Sequence, residues 1–199
     1  MIKELLLSME GYIQSGGIVM VPLLIISLSM WLLIINRALF MRRLYVKNIS
    51  REKAGELVKT NQMPHDRYQG ITSLLVRQFI LARSHDSHLD EYILDEIVVR
   101  LVASVDTYLS VISILAGVAP LLGLLGTVMG MMETFDVITH FGTGNANAMA
   151  GGISVALIST QTGLMVSIPG LYMAGFLTKR ANNLKYRIAA TGIYLKRFL

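Results

Sequence analysis

The chain has 199 residues, of which 53% are hydrophobic and 16% charged, with no cysteine and a formal net charge of +5. An ordinary soluble domain is about a quarter charged, so this composition disfavours a soluble enzyme. Zero cysteine excludes a disulfide framework and any thiolate metal or redox site. What remains is an integral membrane protein.

Three long stretches lack Asp, Glu, Lys and Arg. The first, Gly11 to Asn36, lies between Glu10 and Arg37, with its apolar part from Ile18 to Ile35. The second runs from Thr107 to Met132 and the third from Val137 to Thr178. The third is too long for one span, and the turn residues Gly142-Thr143-Gly144-Asn145-Ala146-Asn147 interrupt it. Crossing the hydrocarbon core as helix takes ~20 apolar residues, and each stretch provides them. A cleavable signal peptide does not fit the first, because no A-x-A-like site follows and Arg37, Arg42 and Arg43 lie downstream.

The chain is therefore expected to be an all-α membrane protein with three transmembrane helices. The predicted segments are an extracytoplasmic amino terminus (1–17), a first span (18–41), a cytoplasmic helical segment (42–106), a second span (107–138), an extracytoplasmic loop (139–150), a third span (151–178) and a cytoplasmic tail helix (179–199). Orientation rests on Lys/Arg asymmetry. Arg37, Arg42, Arg43, Lys47, Arg51 and Lys53 follow the first span, and Lys179, Arg180, Lys185, Arg187, Lys196 and Arg197 follow the third. The loop between the second and third spans has no basic residue. Most of the positive charge is thus topological, and no nucleic-acid partner is needed to explain it.

In the cytoplasmic segment, Ser50 is predicted to cap a helix through Lys59, ended by Asn61 and Pro64. Ser87 with Asp90 reads as a capping box. From there Leu89, Ile93, Ile97, Leu101, Val105 and Tyr108 recur at helical spacing, so one helix is expected to run unbroken into the second span. The tail, with Leu184, Ile188, Tyr194 and Leu195 among its bases, extends the third span. No phosphate-binding glycine loop is present and no nucleophile–base pair is visible, so an enzyme is not expected. His85 and His88 lack a third ligand; neither a metal nor a cofactor is predicted.

The second span contains Gly123, Gly126 and Gly130, and the third Ser159, Gly163, Ser167, Gly170 and Ala174. Small residues at such spacing let helices approach closely in lipid. The third span also carries Ser159-Thr160-Gln161-Thr162, four consecutive polar side chains, so some must face protein or water. Ser and Thr can bond their own helix backbone, but Gln161 cannot hide so easily. Two readings stand for this run: hydrogen bonds between helices, or an ion or substrate path.

At these residues the chain resembles a known family. Ala119 to Phe135 (A-P-L-L-G-L-L-G-T-V-M-G-M-M-E-T-F) is similar to the second-span signature of the MotA/TolQ/ExbB proton-channel family. Gly152 to Gly170 (G-I-S-V-A-L-I-S-T-Q-T-G-L-M-V-S-I-P-G) resembles its third span. Three spans, the cytoplasmic insertion and the basic tail fit the ExbB/TolQ branch; stator subunits of the MotA type usually have four spans. The resemblance implies a homopentameric ring around the single transmembrane helices of ExbD/TolR-like partner subunits, which carry a transmembrane Asp. It further implies a place in the bacterial inner membrane and conversion of the ion gradient into work on the envelope, with energising of TonB-dependent outer-membrane transport through a TonB-like protein as the leading reading. Thr127 and Thr160 match threonines lining the partner-helix interface, beside Ser159, Gln161 and Thr162. Glu133 and Asp136 fall near the outer mouth, where acidic residues can concentrate cations.

One position departs from that pattern. ExbB and TolQ proteins typically have a glutamate five residues before the third-span threonine, where this chain has Val155. The titrating group is then expected to come from the partner. A TolQ-like role, a gliding or stator-type motor, or a non-conducting scaffold assembled through the glycines stay open alternatives, as does the choice between H⁺ and Na⁺.

Overall fold

The computed structural model describes residues 16–46, 48–65, 67–84, 86–144 and 146–199. The expectations for the amino-terminal fifteen residues, Lys47, His85 and Asn145 fall outside them. The described residues are helical with connecting turns and contain no strand. In chain order they form α1 (Met20–Tyr45), α2 (Arg51–Lys59), α3 (Ile71–Ala82), α4 (Ser87–Asp106), α5 (Leu109–Phe141) and α6 (Ala146–Leu195). Short 3-10 turns follow α5 at Gly142–Gly144 and α6 at Lys196–Phe198. Three of the helices are long and apolar enough to cross a membrane.

The chain divides into two compact units. One combines the described residues up to Ile34 with Val111–Ala174, and the other combines Ile35–Ser110 with Gly175–Leu199.

The first unit is organised by small residues. Within this unit the buried positions of α5 are Ile112, Ala116, Ala119, Gly123, Gly126, Gly130 and Thr134, and those of α6 are Gly152, Ala156, Ser159, Gly163, Ser167, Gly170 and Ala174. Both sets repeat at intervals of three and four, the spacing of one helix face. Large apolar side chains such as Leu121, Leu124, Leu157, Met165 and Ile168 point away and are exposed, as a lipid-facing helix requires. Val19, Met20 and Leu23 of the α1 end pack against Ala119 with Leu122 and Val166.

In the second unit, Ser50 caps α2 by accepting the Lys53 N–H, and Asn61, at φ 52°, ends it, as the sequence pattern indicates. The α4 cap differs from expectation. Asp86, not Ser87, is the capping residue, its carboxylate accepting the His88 N–H. Asp90 is instead buried, 1% exposed, and accepts from Arg83 Nε at 2.8 Å and from the Ser84 N–H at 2.8 Å. Arg83 also donates to the Val58 carbonyl at 2.9 Å, so one guanidinium fastens the end of α2 to the start of α4. Burial works against the Asp90 charge, but the Ser84 N–H, the Arg83 side chain, the Ser84 hydroxyl and the Arg83 charge outweigh it. The carboxyl is held below its ordinary range.

The expected continuity of α4 with α5 is also corrected. Helix α4 stops at Asp106, and Tyr108 takes a left-handed conformation at φ 64° before α5 begins. A helix stop strands its last carbonyls. Here Arg37, 5% exposed, donates to the carbonyls of Ser104 (2.6 Å) and Val105. Its guanidinium also lies 4.5 Å from the Phe40 ring centroid. The carboxyl-terminal turn is tied down by Lys196 on Asp95 at 2.7 Å and by Phe198, which fills the space a Cβ on Gly55 would need.

Candidate functional site

The polar run of α6 splits in four directions, as a 100° step per residue requires. Ser159 is completely buried, donates to the Ala156 carbonyl at 2.9 Å, and presses on Gly126 of α5. Thr160 is half-buried and donates across to the Gly123 carbonyl at 3.1 Å. Thr162 is also half-buried and returns its hydrogen bond to Ile158 of its own helix at 2.7 Å. Gln161 is exposed, and its amide makes no hydrogen bond among the described residues. On α5, half-buried Thr127 donates to the Leu124 carbonyl at 2.6 Å.

These bonds fix what the three threonines can do. Each hydroxyl spends its one proton on a backbone carbonyl, leaving the oxygen as an acceptor. In this arrangement it can receive a hydrogen bond from a protonated carboxyl, but cannot give one to a carboxylate without first breaking its own.

The structure places Gly123, Gly126, Gly130 and Gly163 between α5 and α6 of one chain. A Cβ on Gly123 would meet the Ser159 carbonyl and the Thr160 Cα at 3.1 Å. One on Gly130 would lie 2.6 Å from the Gly152 carbonyl and 2.7 Å from the Ala156 nitrogen, and one on Gly163 would lie 2.7 Å from the Ala119 carbonyl. Ser167 joins the same seam and donates to the Ala116 carbonyl at 2.8 Å. Thr134, Ala156 and Met30, which packs on Gly170, belong to the seam as well. Sequence reasoning passed over them, although the spacing of Thr134 from Gly130 and of Ala156 from Gly152 continues the pattern.

Val155 is half-buried and lines a cavity of about 380 Å³ together with Gly16–Val19, Gly126, Met129, Gly130, Met132, Glu133 and Asp136. The site therefore gathers Glu133 and Asp136 beside the position where a third-span glutamate would stand. Gly17, at φ 72°, makes room for this: a Cβ there would touch Val155 at 3.0 Å.

The glycine seam of α5 and the polar run of α6 both lie within the stretch that comparison with known proteins matches. The model of one family, described as the MotA/TolQ/ExbB proton channel family, matches residues 66–190. The chain belongs to that family. Across 91% of this chain and 75% of the other, it is 29% identical to a Synechocystis sp. protein named biopolymer transport protein ExbB-like 1. It is 39% identical over 72 residues to the biopolymer transport protein ExbB of Aquifex aeolicus, covering 36% of this chain and 49% of that one. With the biopolymer transport protein ExbB of Salmonella typhimurium the identity is 31% over 90 residues, 43% of this chain and 37% of that one. The last two matches span less than half of those relatives.

Proposed function

We propose that the chain is an ion-channel motor subunit of the bacterial inner membrane that converts the proton motive force into mechanical work on the envelope. It assembles as a homopentamer around ExbD/TolR-like single-span helices carrying a transmembrane Asp. The process it energises is TonB-dependent transport, a reading supported by the ExbB names of its relatives. The amino terminus and the α5–α6 turn are extracytoplasmic; α2 to α4 and the carboxyl end are cytoplasmic.

The observation that carries this reading is Gln161. An amide well inside an apolar helix, exposed and without a partner among the described residues, is costly against lipid. It calls for another protein surface or water on that face. Thr127, Thr160 and Thr162 would flank it along the ion path, with Ser159 behind them in the seam and Glu133 and Asp136 at the outer mouth. In each cycle the partner's protonated Asp would hand a hydrogen bond to an accepting threonine oxygen, then release its proton where water reaches it. One charge moved through 100 mV yields ~2.3 kcal/mol, so large movements need several ions. A scaffold reading assigns the glycines to ring assembly, but those glycines are already occupied within one chain.

Co-reconstitution with the partner subunit in liposomes tests the proposal. Flux is expected only when both are present, and is lost when the partner's Asp becomes Asn. Robust flux through this chain alone would overturn it.

A further inference from the structure

Helix α1 carries two adjacent arginines in its last turn. Arg42 and Arg43 are exposed and make no ion pair among the described residues. Together with Leu39, Val46 and Gln69 they line a cavity of about 310 Å³.

The cavity wall is built, not incidental. Asn48, just beyond α1, accepts the Thr72 N–H on its Oδ1 at 3.0 Å, and its Nδ2 donates to the Leu44 carbonyl at 3.4 Å. Gly70 comes so close that a Cβ on it would lie 2.8 Å from the Asn48 Cα. A larger residue at 70 would lift this stretch away, and Gln69 with it. Ile35, Leu39 and Arg42 of α1 and Val46 just past its end follow at intervals of four, three and four, the spacing of one helix face. The three apolar members of that face are 57%, 51% and 50% exposed.

Two guanidiniums next to each other, without an ion pair among the described residues, repel, and each offers a planar fork matched to phosphate oxygens. An aliphatic lane runs directly into them, and Gln69 lines the same cavity. An inorganic or sugar phosphate would satisfy the arginines and leave the lane wet. An amphiphile satisfies all three. We propose that this is a binding site for an anionic phospholipid, its phosphate on Arg42 and Arg43, its headgroup hydroxyls on Gln69, and an acyl chain along Leu39 and Ile35. The site requires only that this end of α1 lie at a bilayer face. It does not depend on the motor reading.

The test uses the full chain, purified and delipidated in detergent, titrated with phosphatidylglycerol, phosphatidylcholine or glycerol phosphate and followed by native mass spectrometry. Phosphatidylglycerol should bind about 30-fold more tightly than phosphatidylcholine, the preference expected from two basic side chains near an anionic headgroup. The Arg42→Gln/Arg43→Gln double variant should lose that preference. An Arg51→Gln/Lys53→Gln variant, with the same charge change on α2, should keep it. All four side chains are exposed, so the variants are expected to fold, which circular dichroism checks. Equal binding of the two lipids, equal loss in both double variants, or glycerol phosphate binding as tightly as the intact lipid would each overturn the proposal.

Discussion

Ser167 of α6 donates its hydroxyl to the carbonyl of Ala116 in α5 at 2.8 Å, and that carbonyl is the one Pro120 leaves without a helical donor. A proline inside a helix has no N–H for the residue four before it, and in lipid no water replaces it. The serine therefore repairs a gap made on the neighbouring helix.

Ser167→Ala should accordingly cost about 1–2 kcal/mol, between the modest worth of hydrogen bonds in membranes and the penalty of a stranded buried carbonyl. In a Pro120→Ala background the backbone N–H returns and the same change should cost markedly less. Reversible unfolding in mixed micelles of the four proteins measures the difference. An equal cost in both backgrounds would remove the repair argument.

The glycine seam gives a contrast between two glycines of one helix. A Cβ on Gly130 meets backbone atoms on the facing helix, whereas one on Gly117 meets nothing within 4 Å. Gly130→Ala should destabilise by about 1–3 kcal/mol through overpacking, partly offset by the ~1 kcal/mol helix preference of Ala. Gly117→Ala should be neutral or stabilising in the isolated chain. Melting temperatures in detergent that fall equally for both variants would contradict the seam as the cause.

The seam was legible in the sequence because glycine and serine spacing needs no partner to be recognised. Which helix it would meet was not legible, and the glycines turn out to serve the α5–α6 pair. Likewise Ser50 reads as a cap because the bond is local. The stop after Asp106 carries neither Gly nor Pro, and the residue that accommodates it, Arg37, sits 67 residues from Ser104. Asp90 resembled the last member of a capping box, but Arg83 and Ser84 claim its carboxylate. No periodicity could announce that choice.

That carboxylate makes the second unit acid-sensitive in a defined direction. Its folded-state titration lies below the ordinary carboxylate value of about 3.9, so its stabilisation is fully present above that value and is lost as pH falls through the depressed folded one. Asp90→Asn should flatten this part of the acid profile. It should also cost about 3–5 kcal/mol, because Arg83 would be left half-covered without its partner. Hydrogen exchange of α2 and α4 against pH reads both effects. Identical profiles for variant and parent would show that the Arg83–Asp90 link contributes nothing.

Val155 offers the sharpest test of the ion path. Replacing it with Glu would place a carboxyl in the cavity that Glu133 and Asp136 already line, five residues before Thr160. The new carboxyl would add a third acidic side chain to that cavity. Half-buried Val155 has open cavity beside it, so the substitution should be accommodated structurally. Activity of the co-reconstituted complex should then keep nearly the same maximum while its pH dependence moves. Adding Glu133→Gln, which removes one of the acidic side chains lining the same cavity, should move it part of the way back. A pH profile unchanged by Val155→Glu, in a protein that assembles normally with its partner, would place this cavity off the ion path.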